Sequence, residues 1–82
     1  MNTFKIIRVD GTTEVMNKPT LEQMQKAVGG YIEMVRISPD TMMWVNEEGR
    51  LLKLKINQAA SFLAQQTIVG DVILEVGNDR DG

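Results

Sequence analysis

Residues 20–37, T-L-E-Q-M-Q-K-A-V-G-G-Y-I-E-M-V-R-I, constrain this chain most, because the pattern changes there from helix to strand across a double glycine. Thr20 with Gln23 three positions later is a capping-box pattern, in which the hydroxyl takes an orphan helix N–H and the amide reaches back to the cap. Leu21, Met24, Ala27 and Val28 recur at helical spacing and form one apolar stripe, while Glu22, Gln23, Gln25 and Lys26 stay in water. Gly29 and Gly30 end the helix, since glycine just past a helix adopts the left-handed conformation without a Cβ penalty. Residues 31–37 are then rich in aromatic and β-branched side chains, with Ile32, Met34 and Arg36 on one face and Tyr31, Glu33, Val35 and Ile37 on the other. A short helix laid back on a strand is the smallest unit of a two-layer core.

The flanking segments supply the remaining layers. Residues 3–9 (T-F-K-I-I-R-V) read as a strand closed by Asp10-Gly11, a hairpin signal of type I′ that pairs residues 12–16 back on the first strand. Past Ile37, Ser38-Pro39-Asp40 is a turn, residues 41–45 (T-M-M-W-V) a strand, Asn46-Glu47-Glu48-Gly49 a second turn, and residues 50–56 an alternating strand. Asn57 suits the N-cap of a short helix over residues 58–65 with Ala59, Phe62 and Leu63 as its apolar face. Residues 67–76 (T-I-V-G-D-V-I-L-E-V) form the most apolar strand candidate, with Gly70 marking a bulge or a close approach. The expected fold is α+β: a mostly antiparallel sheet with two short helices packed on one face, in the order β-β-α-β-β-β-α-β. Residues 1–76 would make one domain and residues 77–82 a flexible polar tail.

Composition narrows the function classes. The 82-residue chain has no cysteine and no histidine, which removes disulfides, thiolate metal sites and the commonest general base. Ser38 and Ser61 have no histidine to activate them, and Lys53 and Lys55 sit in an alternating exposed pattern, so no nucleophile and base pair can be assembled. The expectation is a noncatalytic protein without cofactor or metal. A net charge of −2 with both signs interspersed offers no footprint for nucleic acid. No apolar run approaches membrane length and no signal-peptide pattern follows Met1, so a cytoplasmic address is expected. Six methionines and one tryptophan are many for so thin a core. Met42 and Trp44 share one face of their strand and Met43 and Val45 the other, so a second apolar surface on a helix-free face would favour a homo-oligomer.

Four ordered words, A-V-G-G-Y-I-E at 27–33, V-N-E-E-G at 45–49, the Asn57-x-x-Ala60 helix start and I-V-G-D-V-I-L at 68–74, resemble a family of small phage, plasmid and bacterial proteins known only as domain of unknown function 3846. The similarity runs from Phe4 to Leu74, and the matching positions are Gly29, Gly30, Tyr31, Glu33, Asn46, Glu48, Gly49, Asn57, Gly70 and Asp71. Met42, Met43 and Trp44 make a heavier apolar strand than the family's. The resemblance implies an accessory protein of a mobile element, one that blocks a host protein or sequesters a nucleotide signal of host defence.

Eight residues are candidates for ligand contact. Arg8, Arg36 and Arg50 would hold phosphates as planar bidentate donors, and Tyr31 or Trp44 would stack a base. Asn46 and Glu48 in their turn are suited to ribose hydroxyls, a base edge or a metal, although Asn and Gly also simply supply turn geometry. Asp71, between Val69 and Val72, needs an arginine partner or a polar pocket. The leading expectation is a homo-oligomer binding a nucleotide signal at subunit junctions as counter-defence; the alternatives are a protein–protein inhibitor of a host protein and a structural assembly component.

Overall fold

Two strands that are apolar on both faces decide the architecture. The computed structural model describes residues 2–77, arranged as β1 (Asn2–Ile7), β2 (Thr13–Met16), α1 (Leu21–Val28), β3 (Ile32–Ser38), β4 (Thr41–Asn46), α2 (Gln58–Ala64) and β5 (Val72–Gly77). The five strands form one sheet in the order β2-β1-β5-β4-β3, with every pairing antiparallel. The chain is thus α+β, with the antiparallel sheet and two short helices that its patterning predicts. Gly77 closes β5, and the rest of the expected tail lies outside the described residues.

Alternation along the central strands sets the two layers. On one face Ile7, Met43, Val45 and Val72 pack with Ala60 and Ile68, backed by Val35, Ile37, Ala64 and Leu74. On the other, Phe4 and Ile73 pack with Met24, backed by Ile6, Met16, Ala27, Ile32 and Trp44. The helices therefore lie on opposite faces, which corrects the expectation of one covered and one bare face. Val72 and Ile73 are both fully buried neighbours on β5, and successive side chains point to opposite sides, so each face needs its own helix. The pair Met43 and Val45 sits beneath α2, and Trp44 stands on the α1 face.

Local capping holds as the sequence indicates. Thr20 Oγ1 accepts the Gln23 N–H at 3.1 Å while Gln23 Oε1 accepts the Thr20 N–H at 2.9 Å, and Gly29 caps α1 at φ 85°. The first hairpin differs in detail. Only Gly11 of the Asp10-Gly11 pair has positive φ; Asp10 instead accepts the Thr12 N–H and hydroxyl, at 2.9 and 2.7 Å, in a longer connection between Ile7 and Thr13.

Residues 50–56 are not a ladder strand. Leu52, Lys53 and Leu54 donate their N–H groups to the Glu48, Arg50 and Gly49 carbonyls, so local turns consume the groups a ladder needs, and Ile56 alone bridges to Val69. The last strand likewise starts at Val72 rather than residue 67, because Gly70 turns the chain at φ 81°. A Cβ at Gly70 would lie 2.7 Å from Leu54 Cδ1. Gly70→Ala is expected to lower stability by about 1–2 kcal/mol, the cost of left-handed backbone for an L-residue, since the Leu54 methyl can swing away. Gly70→Asn should lose less; equal urea midpoints for wild type and Gly70→Ala would refute the account.

Helix α2 turns a different side inward than its large residues suggest. Ala60 and Ala64 face the core, whereas Ala59, Phe62 and Leu63 are exposed, Phe62 at 83%. Asn57 and Ser61 fix that rotation. Asn57 is fully buried and accepts the Ala60 N–H, and Ser61 Oγ donates to the Ile68 carbonyl at 3.1 Å while accepting the Ile68 N–H at 2.8 Å.

Candidate functional site

The groups with the most varied chemistry meet where the β3–β4 ladder ends. A cleft of about 240 Å³ opens there, walled by Glu33 and Val35 from β3, Val45 and Asn46 from β4, the turn at residues 47–51 and the loop at residues 66–69. Asn46 builds the turn. Its Oδ1 accepts the Glu48 N–H at 2.7 Å, and its Nδ2 donates to the Val28 carbonyl at 3.0 Å, tying the end of α1 to the cleft. Gly49 lets the turn approach the opposite loop, because a Cβ there would lie 2.8 Å from Val69 Cγ2. That loop is pinned by the Asn57 N–H donating to the Ile68 carbonyl at 2.8 Å and by the Ser61 contacts.

Three carboxylates, Glu33, Glu47 and Glu48, line this cleft together with one guanidinium, that of Arg50, whose Nη2 donates to the Thr67 carbonyl at 3.4 Å. The walls between them are apolar: Val35, Val45, Leu51, Ile68 and Val69. Its chemistry is that of an acidic rim over an apolar floor, suited to a ligand carrying positive charge and aliphatic surface.

The sequence candidates fall into separate places. Asn46, Glu48 and Arg50 come together in the cleft, though both polar atoms of the Asn46 side chain are engaged in holding the turn. Arg8 lies past the end of β1, where it pairs with Glu14 at 2.6 Å and donates to Thr12 Oγ1 at 3.5 Å; its pKa is raised further, first by the Glu14 hydrogen bond. Asp71 is near it and accepts the Val9 N–H at 3.0 Å, so a backbone donor satisfies the carboxylate inside the apolar segment. Arg36 lies on the edge strand β3, with Nη1 on the Pro39 carbonyl at 3.2 Å. Tyr31 precedes β3 and is 69% exposed, whereas the Trp44 indole is half-buried and donates to Glu75 Oε1 at 2.9 Å. Within one chain the three arginines and two aromatics do not converge.

Residue reading missed Glu33, Thr67 and Ile68 as cleft walls. Nothing in the local pattern marks residues 66–69 as facing a turn almost twenty residues earlier; only the fold brings them there. It also missed Glu75, whose second oxygen accepts from Asn2 Nδ2 at 2.6 Å beside a wider hollow of about 690 Å³ lined by Phe4, Val15, Met16 and Lys18. A carboxylate in I-L-E-V was the available signal. Among the described residues, no group of three or more histidine, cysteine, aspartate or glutamate side chains is arranged to hold a metal ion, and no helix is long and apolar enough to cross a membrane.

Compared with known proteins, no curated protein and no solved structure matches the chain. One family model matches residues 3–82, and its description is a domain of unknown function, DUF3846.

Proposed function

The chain belongs to that family, and from this premise we propose a noncatalytic binding protein whose cleft at the start of β3 docks a basic, apolar segment of a protein partner. The observation that carries the reading is the lining of the cleft: three carboxylates to one guanidinium, around aliphatic walls. Such a rim attracts a lysine- or arginine-bearing segment and repels a polyphosphate. The resemblance to proteins of phages, plasmids and bacteria makes a host protein the partner in view, with inhibition or counter-defence as the outcome. A nucleotide signal has less support, since Arg8 and Arg36 lie away from Arg50 and its pocket would have to be completed by another subunit.

The chain has no cysteine, so Glu33→Cys gives one site for a photo-crosslinker inside the cleft, and Glu22→Cys gives a control on α1. In host lysate the Glu33→Cys probe is expected to capture one host protein, distinct from a second copy of this chain, in stoichiometric yield, competed by unlabelled wild type and absent from the control. Equal labelling from both positions would overturn the reading. So would native mass spectrometry in which the wild type retains a nucleotide from a mixed linear and cyclic panel, which would restore sequestration.

A further inference from the structure

We propose that β3 pairs with β3 of a second copy of this chain, joining two five-stranded sheets into one across a two-fold axis at Met34. Strand β3 is an edge of the sheet, seven residues long, and the opposite edge, β2, has only four. The Glu47 N–H donates to the Tyr31 carbonyl at 2.9 Å, which fixes the alternation of the β3–β4 ladder. Glu33 and Val35 then turn their backbone groups toward β4, and Ile32, Met34 and Arg36 turn theirs outward. From Ile32 to Arg36 the edge has no proline and no bulge; the register shift lies between Arg36 and Ser38. Natural edges are commonly blunted by such devices, and this stretch lacks them.

Charge and the regular span of the strand together select the register. With the axis at Met34, Ile32 faces Arg36 of the second copy and Glu33 faces Val35, so no like charges stand directly opposite. Moving the axis to Glu33 or Arg36 would set carboxylate against carboxylate or guanidinium against guanidinium, which is unfavourable across strands. The Met34 axis also keeps pairing within the regular part of the strand.

A backbone ladder alone buries less than the ~800 Å² per partner of a stable interface. Helix α2 supplies more. It contacts β3 more than any other strand, so the rotation that joins the two edges sets two copies of α2 on one face, flanking the axis. Phe62 and Leu63 are exposed apolar residues of that helix. The clefts open on that face also, since Val35 belongs to the layer under α2, and the joined sheet would present two of them side by side. The pairing does not depend on what fills the cleft.

Sedimentation equilibrium of the full chain, from micromolar to near-millimolar concentration, tests this. The expected mass is twice 9.2 kDa at the upper end. Met34→Pro removes only an outward N–H, a change edge strands accept, and should leave a folded monomer. Met34→Cys should form a disulfide between copies under mild oxidation, because directly opposed residues at a two-fold lie ~5.5 Å apart, within disulfide reach. Val15→Cys on the other edge should not. A wild type that stays monomeric throughout, a dimer that survives Met34→Pro, or equal cross-linking from both cysteine variants would overturn the proposal.

Discussion

Asn57→Ala is expected to destabilise the domain by about 3–5 kcal/mol, on the basis of ~1–3 kcal/mol for each buried polar group left without a partner. Three hydrogen bonds are lost. Asn57 Nδ2 donates to the Ile7 carbonyl and to the Gly70 carbonyl, both at 2.9 Å, and Oδ1 accepts the Ala60 N–H at 3.0 Å. The residue is fully buried, so water does not replace the lost contacts. A small domain with ~5 kcal/mol of stability would then be largely unfolded. Asn57→Ser separates the two roles of this side chain: it keeps a helix-cap acceptor and loses both carbonyl contacts. If Asn57→Ser unfolds in urea at the wild-type midpoint, the link from α2 to the end of β1 and to Gly70 contributes nothing and capping accounts for the residue.

Met43→Ala is expected to cost about 2–5 kcal/mol, the range for truncating a buried methionine, while Met42→Ala costs less than about 1 kcal/mol. Met43 is fully buried between α2 and the sheet, packed with Val45, Ala60, Ile68 and Val72. Met42, next in the chain, is half-buried on the opposite face, where its register neighbours are Arg36 and Glu75. Chemical denaturation of both variants distinguishes a core methionine from a surface one. Equal losses would mean that the two faces of β4 are alike in burial.

The parts of this fold legible in the sequence were those decided within a few residues. Thr20, Gln23 and Gly29 cap α1 through contacts no more than four residues apart, and the same geometry holds in any fold that keeps the helix. The rotation of α2 was not legible, because Phe62 and Leu63 outweigh two alanines in any hydrophobic pattern. What decides it is tertiary: Ser61 binds both backbone groups of Ile68, and Asn57 reaches carbonyls 13 and 50 residues away. Residues 50–56 alternate like a strand, but alternation does not show that a neighbouring strand is free to pair; here the turn following Asn46 closes on itself. The candidate site divides similarly. Asn46, Glu48 and Arg50 were recognisable as a polar turn, yet the engagement of the Asn46 Nδ2 with the Val28 carbonyl depends on α1 ending beside it.

The pairing of Asn2 with Gly77 at one end of the β1–β5 ladder has a mechanical consequence. Force applied to these two residues enters neighbouring antiparallel strands at the same end and along the direction of their hydrogen bonds. The ladder then peels one pair at a time, from Thr3 and Val76 inward to Ile7 and Val72, with no stage at which all the bonds share the load. Traction across these two residues thus meets an unzipping joint in place of a shear clamp, set between two inner strands of the sheet.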